Sequence, residues 1–73
     1  MKRVLDIKKI GNFVRSIRVN NQYQLNEFSE LLRVSQRKIK KIEAGEELPN
    51  LLMVIKCCHL FDICADDFII YVD

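Results

Sequence analysis

Between Arg33 and Lys41 this 73-residue chain carries five cationic side chains and no acid: Arg33, Arg37, Lys38, Lys40 and Lys41. In the stretch Ser35-Gln36-Arg37-Lys38-Ile39-Lys40-Lys41-Ile42-Glu43 the two isoleucines stand three apart, a spacing that turns both to one side of a helix. Gln36 with Lys40, and Arg37 with Lys41, stand four apart on the opposite side, and Lys38 lies at its margin. Like charges at this spacing cost a helix roughly a few tenths of a kcal/mol per pair, a cost that a bound polyanion removes. Gln36 and Arg37 also fall at the start of the helix, the end that a base-reading helix presents to the major groove. There a guanidinium pairs bidentately with guanine and an amide with adenine. The expected nucleic-acid contacts are therefore Gln36, Arg37, Lys40 and Lys41, with Lys38, Arg33 and Ser35 at their edge.

Other reactive side chains form no comparable set. Cys57, Cys58, His59 and Cys64 suggest zinc, but structural zinc sites pair their ligands in knuckles, and consecutive helical residues point about 100° apart. Packed or solvated thiols are the simpler expectation, Cys58 in particular being expected inside. His59 is the only histidine and has no nucleophile and carboxylate beside it in the sequence. Asp66 and Asp67 read as charges at a helix start. No catalytic residue, metal ligand or cofactor is expected, and no enzymatic activity.

Helices must position the basic face. Apolar residues at 10, 13, 14 and 17 predict a first helix over 10–18. Leu25, Phe28, Leu31 and Leu32 predict a second over 25–32, with Gln24 and Glu27 resembling a capping box. Ser35 is a strong N-cap for a third helix to about Glu43, and Gly45 a stop signal. Pro49 and Asn50 punctuate, and Asn50 caps a fourth helix over 51–61. The near-continuous apolar content of that helix (Leu51, Leu52, Val54, Ile55, Cys58, Leu60, Phe61) predicts the central core helix. A short fifth helix is expected from Ala65.

Charge is polarised along the chain. Residues 1–41 hold eleven Lys/Arg against three acids, a net of +8, and residues 42–73 hold one Lys against seven acids, a net of −6. Such a molecule turns one side to a polyanion and the other to water. A chain of this size buries only about 60% of its unfolded surface, enough for one domain over 1–73 without a deep cleft. No apolar run is long enough for a membrane span, Lys2 and Arg3 open no signal segment, and three clustered cysteines suit a reducing compartment. A cytoplasmic location is expected.

Residues 10–68 resemble the Cro/C1-type (XRE-family, lambda-repressor-like) helix-turn-helix domain. The resemblance runs through Glu27-Phe28-Ser29-Glu30, Val34-Ser35, Ile39, Ile42-Glu43-x-Gly45, Pro49, a Leu51-led helix and Phe61-x-Ile63-x-x-Asp66-x-Phe68. It implies a compact all-α domain of five helices, with 25–32 as positioning helix and 36–43 as recognition helix. It implies that Gln36, Arg37 and Lys41 read bases with Lys40 beside them, and that Arg18 pairs with Glu43. Three positions depart from the family pattern: Leu25 replaces a glutamine, Arg33 a glycine in the turn, and Glu46-Glu47 a basic loop.

Phe68-Ile69-Ile70-Tyr71-Val72 is β-branched and aromatic. It is expected to extend the fifth helix, to form a short terminal strand with Val4, Leu5 and Ile7, or to join two subunits through Phe68, Ile70 and Tyr71. The expected function is sequence-specific binding of double-stranded DNA by a homodimeric transcriptional repressor, without a membrane or small-molecule ligand. The alternative is a protein-interaction module (antitoxin, anti-repressor or adaptor) on the same fold, favoured by Leu25 and Glu46-Glu47.

Overall fold

Helix starts in this protein coincide with side-chain oxygens that accept from otherwise unpaired amides. The computed structural model describes residues 3–73. The Asp6 carboxylate accepts from Lys9 N at 3.0 Å and opens α1, Ile7–Asn20. Glu27 reaches back to Gln24 N at 2.8 Å at the start of α2, Leu25–Leu32. Ser35 Oγ accepts from Lys38 N at 3.2 Å and opens α3, Gln36–Glu43. Asn50 Oδ1 accepts from Met53 N at 2.8 Å and opens α4, Leu51–Phe61. The last three helices have the bounds expected from the sequence. The first is longer at both ends, because its cap and not its apolar stripe sets where it begins.

The expected fifth helix is a four-residue 3-10 turn, Ala65–Phe68. Beyond it the chain leaves helical geometry to meet the opposite end. Asp6 N donates to Ile70 O and Val72 N to Val4 O, both at 2.7 Å, around one antiparallel bridge between Leu5 and Tyr71. No strand forms among the described residues, since Asp6 is already committed to capping α1. The architecture is thus all-α, with four helices, a 3-10 turn and a pinned pair of chain ends.

Val14, Ile17, Phe28, Leu32, Ile39, Ile42, Met53, Cys57 and Phe68 form one buried cluster, to which each α-helix contributes two residues. Tyr23, Phe28 and Phe61 make a three-ring contact with centroids 6.0–6.1 Å apart, and Phe13 meets Phe68 edge-on at 5.0 Å. α1 lies closest to α3, and Gly11 is why: a Cβ there would run into the Ile42 carbonyl. Gly45 turns the chain out of α3 with φ of 78°, a region that a residue lacking Cβ enters without strain.

Two expectations need correction. α4 is no central core helix, because only Met53 and Cys57 are fully buried on it while Leu51, Leu52, Ile55 and Leu60 are exposed. Four helices and a short turn surround the core on too few sides to cover every face of α4. Phe68 in turn is only 6% exposed. It is spent inside the monomer against Phe13 and is not free to join two subunits, whereas Ile70 is half-buried and Tyr71 exposed.

Candidate nucleic-acid interface

α3 is built as a two-sided element. Ile39 and Ile42 are completely buried, and Gln36, Arg37, Lys40 and Lys41 are all exposed. At about 100° per residue the four polar side chains occupy one arc of roughly 140°, with no acid on it. Lys38 is half-buried at the edge, its ammonium 3.8 Å from Glu47, so part of its charge is answered within the molecule.

The orientation of that arc is fixed from behind. Arg18, near the end of α1, donates from Nε to Glu43 Oε2 at 2.8 Å and from Nη2 to Glu43 Oε1 at 3.0 Å. Its third donor, Nη1, reaches the Tyr23 carbonyl at 3.2 Å. A bidentate pair constrains both distance and rotation, and this one joins the last residue of α3 to α1 and to the loop before α2. The hydrogen bond to Glu43 raises the Arg18 pKa further above the ordinary guanidinium range, burial opposing it and the charge of Glu43 adding to it. Arg18 therefore stays a cation throughout the physiological range.

The connection between α2 and α3 is equally determined. Arg33 takes the left-handed conformation, φ 55° and ψ 43°, and ends α2. Val34 N donates to Ser29 O at 3.1 Å, while Ser29 Oγ donates back to Val34 O. Lys56 Nζ, from α4, donates to Leu32 O at 3.0 Å. The turn is thus short, held from both sides and followed at once by the Ser35 cap.

A helix, a tight left-handed turn and a second helix with an exposed cationic face form a helix-turn-helix. The family described as helix-turn-helix domain matches residues 11–70. The chain belongs to that family. Its members of the Cro/C1 type share the arrangement. The chain is 30% identical over 60 residues to the HTH-type transcriptional regulator YvzC of Bacillus subtilis, covering 82% of this chain and 78% of that protein. Among solved structures it is similar to the restriction-modification controller protein C.AhdI from Aeromonas hydrophila. That likeness has a TM-score of 0.74 at 19% identity, over 86% of this chain and 96% of the other. It is also similar to the clp gene regulator ClgR from Corynebacterium glutamicum, with a TM-score of 0.73 at 25% identity, over 88% of this chain and 68% of the other.

Seen as a helix-turn-helix, the three departures have structural accounts. Leu25 is half-buried and packs against the core. Arg33 supplies an exposed cation at the mouth of the turn but holds a backbone conformation that side chains with a Cβ disfavour. Glu46 is exposed, and Glu47 lies against Lys38. Ser35 uses its hydroxyl oxygen as a cap, and that oxygen remains exposed at the amide end of α3 beside Gln36 and Arg37.

Ser29 and Lys56 stood out by no motif in this role. The signal for Lys56 was its isolation, since it is the single cation of residues 42–73 and sits on an otherwise apolar helix. The thiol that is fully buried is Cys57, not Cys58, which is half-buried, and Cys64 is exposed. Burial first, and the neighbouring Cys58 second, push the Cys57 pKa up from 9.0 to about 11. Among the described residues no three His, Cys, Asp or Glu side chains converge on a point that could hold a metal ion. No helix among them is long and apolar enough to cross a membrane.

Proposed function

We propose that this helix-turn-helix chain is a sequence-specific regulator of transcription that acts as a homodimer on double-stranded DNA in the cytoplasm, blocking a promoter. The observation that carries this reading is the cationic, acid-free face of α3, exposed along its whole length and locked in orientation by the Arg18–Glu43 pair. A face of that kind is costly unless phosphate answers it, and Gln36 and Arg37 at its leading end have the hydrogen-bonding forks that distinguish adenine and guanine. Lys41 is assigned with them to base edges, and Arg33, Ser35, Lys38 and Lys40 to the phosphates around them. The kinship with YvzC, an HTH-type transcriptional regulator, supports the same reading.

A second reading is a protein-interaction module that has kept the fold, and the acids Glu46 and Glu47 at the foot of α3 favour it. The two separate on titration of the protein with a generic duplex at rising salt. A DNA-binding face releases counterions, so log affinity falls linearly with log salt, by nearly one unit per phosphate contacted. Measurable binding with a steep slope supports the regulator. No binding at low salt leaves the interaction module.

A further inference from the structure

α3 does not hold all the positive charge that this fold leaves unanswered. Of the basic residues from Arg3 to Arg18, Arg3 lies over the Tyr71 ring, Lys9 meets Asp73 at 3.2 Å, and Arg18 is bound to Glu43. Lys8 and Arg15 are exposed, and neither forms an ion pair among the described residues. α1 itself contains no acid.

Their place follows from the helix period of about 100° per residue. Gly11 and Arg18 share the side of α1 that meets α3, Gly11 beneath the Ile42 carbonyl and Arg18 on Glu43. On one flank of that side lie Ile10, Val14 and Ile17, all buried. On the other lie Lys8, Asn12 and Arg15, all exposed. α3 is arranged likewise. Glu43 faces α1, with buried Ile39 and Ile42 on one flank and exposed Gln36 and Lys40 on the other. The solvent flanks of two packed helices adjoin, so Lys8, Asn12 and Arg15 continue the α3 arc across the Arg18–Glu43 pair. Lys8 is held at that seam, because its stem packs over Gly45, where a Cβ would come within 2.8 Å of Lys8 Cγ.

We propose that this stripe of α1 is a second DNA contact, in which Lys8, Asn12 and Arg15 hold phosphates of the strand bordering the groove that α3 enters. The inference rests on the DNA-binding reading above. Charge and shape select the occupant. Lys8 and Arg15 stand seven residues apart, about 10 Å along the axis, with the Asn12 amide between them as a neutral donor. A small anion needs donors that converge on one point, whereas a line of them fits a run of phosphates. Contacts to phosphate fix register and orientation without reading sequence. The stripe therefore adds affinity and holds α3 in place, and the choice of bases stays with α3.

Titration of the whole chain with one generic duplex over a range of salt tests the contact. Each phosphate engaged contributes nearly one to the slope of log affinity against log salt. Lys8→Gln and Arg15→Gln are each expected to lower that slope by nearly one, and by nearly two together. Both variants should select the wild-type motif from a random pool, and Arg15→Lys should restore the slope. Asn12→Ala should weaken binding at an unchanged slope. Lys9→Gln is the control. It removes the same charge from the same helix, but its side chain points about 100° from Lys8 and is answered by Asp73, so the slope should stay as it is.

Unchanged slopes in Lys8→Gln and Arg15→Gln overturn the proposal while a binding wild type keeps the regulator reading. A slope that falls as far with Lys9→Gln overturns it too, since net charge alone then suffices. So does a selected motif that changes with either variant. A chain that binds no duplex sinks the regulator and the stripe with it. Should such a chain bind polyglutamate instead, and lose it with Lys8→Gln and Arg15→Gln, the stripe belongs to an acidic protein partner. All the substituted side chains are exposed, and a circular dichroism spectrum checks that each variant folds. If Lys8→Gln does not, Arg15→Gln against Lys9→Gln decides.

Discussion

At the scale of single residues, the same few side chains that define the site also carry much of the strain and pairing that hold it. Glu43 answers a guanidinium that is only 18% exposed while being 11% exposed itself. Removing one partner of such a pair leaves the other charge uncompensated. Glu43→Ala is therefore expected to cost about 3 kcal/mol, toward the low end for a buried pair because Tyr23 O still accepts one bond from Arg18. Glu46→Ala, in an exposed loop, should stay within about 0.5 kcal/mol. Urea midpoints of the two variants check this, and equal midpoints would remove the pair from the account. Arg33 works in the opposite sense, because its left-handed backbone is unfavourable for any residue with a Cβ. Arg33→Gly is expected to raise stability by up to about 1 kcal/mol while weakening DNA binding through the lost charge. A variant that melts higher and binds as before would show that Arg33 touches no phosphate.

At the scale of elements, the sequence declares its helices unevenly. α2, α3 and α4 were legible because Gln24, Ser35 and Asn50 each stand just before an apolar stripe. α1 was not, since Asp6 caps a first turn whose Lys8 and Lys9 carry no apolar signal. The exposed cationic face was legible because Ile39 and Ile42 fix which way α3 turns. The fate of α4 was not, because an apolar helix reads the same whether neighbours cover it or leave half of it bare. Nor was it visible which of two adjacent cysteines turns inward. That detail has a measurable consequence. The Cys57 thiol ionises near pH 9.0 when unfolded and near 11 in the fold, mainly through burial. A group whose folded pKa is raised contributes its full stability below the unfolded value and loses it as pH climbs through the folded one. Between pH 9 and 11 the wild type is expected to lose about 2–3 kcal/mol that a Cys57→Ala variant, whatever its starting stability, does not lose. Parallel stability profiles for the two chains would show that the thiol is no better shielded than in the unfolded state.

At the scale of the whole molecule, the division of charge, the locked helix and the braced turn point to one use. A net of +8 over residues 1–41 draws the protein to a polyanion, and such attraction speeds encounter without choosing a sequence. In the proposed reading choice rests on α3, whose eight residues extend about 12 Å, the width of the major groove. Selection of duplexes from a random pool by the wild type, Gln36→Ala, Arg37→Ala and Lys40→Ala tests that claim most directly. The wild type should enrich one motif. Gln36→Ala and Arg37→Ala should each relax or change the preferred base at a defined position, at a discrimination of roughly 1–3 kcal/mol. Lys40→Ala should recover the wild-type motif with uniformly weaker binding. A wild type that enriches no motif, or three variants that lose binding equally and without regard to sequence, would contradict the assignment of α3 as the reading element.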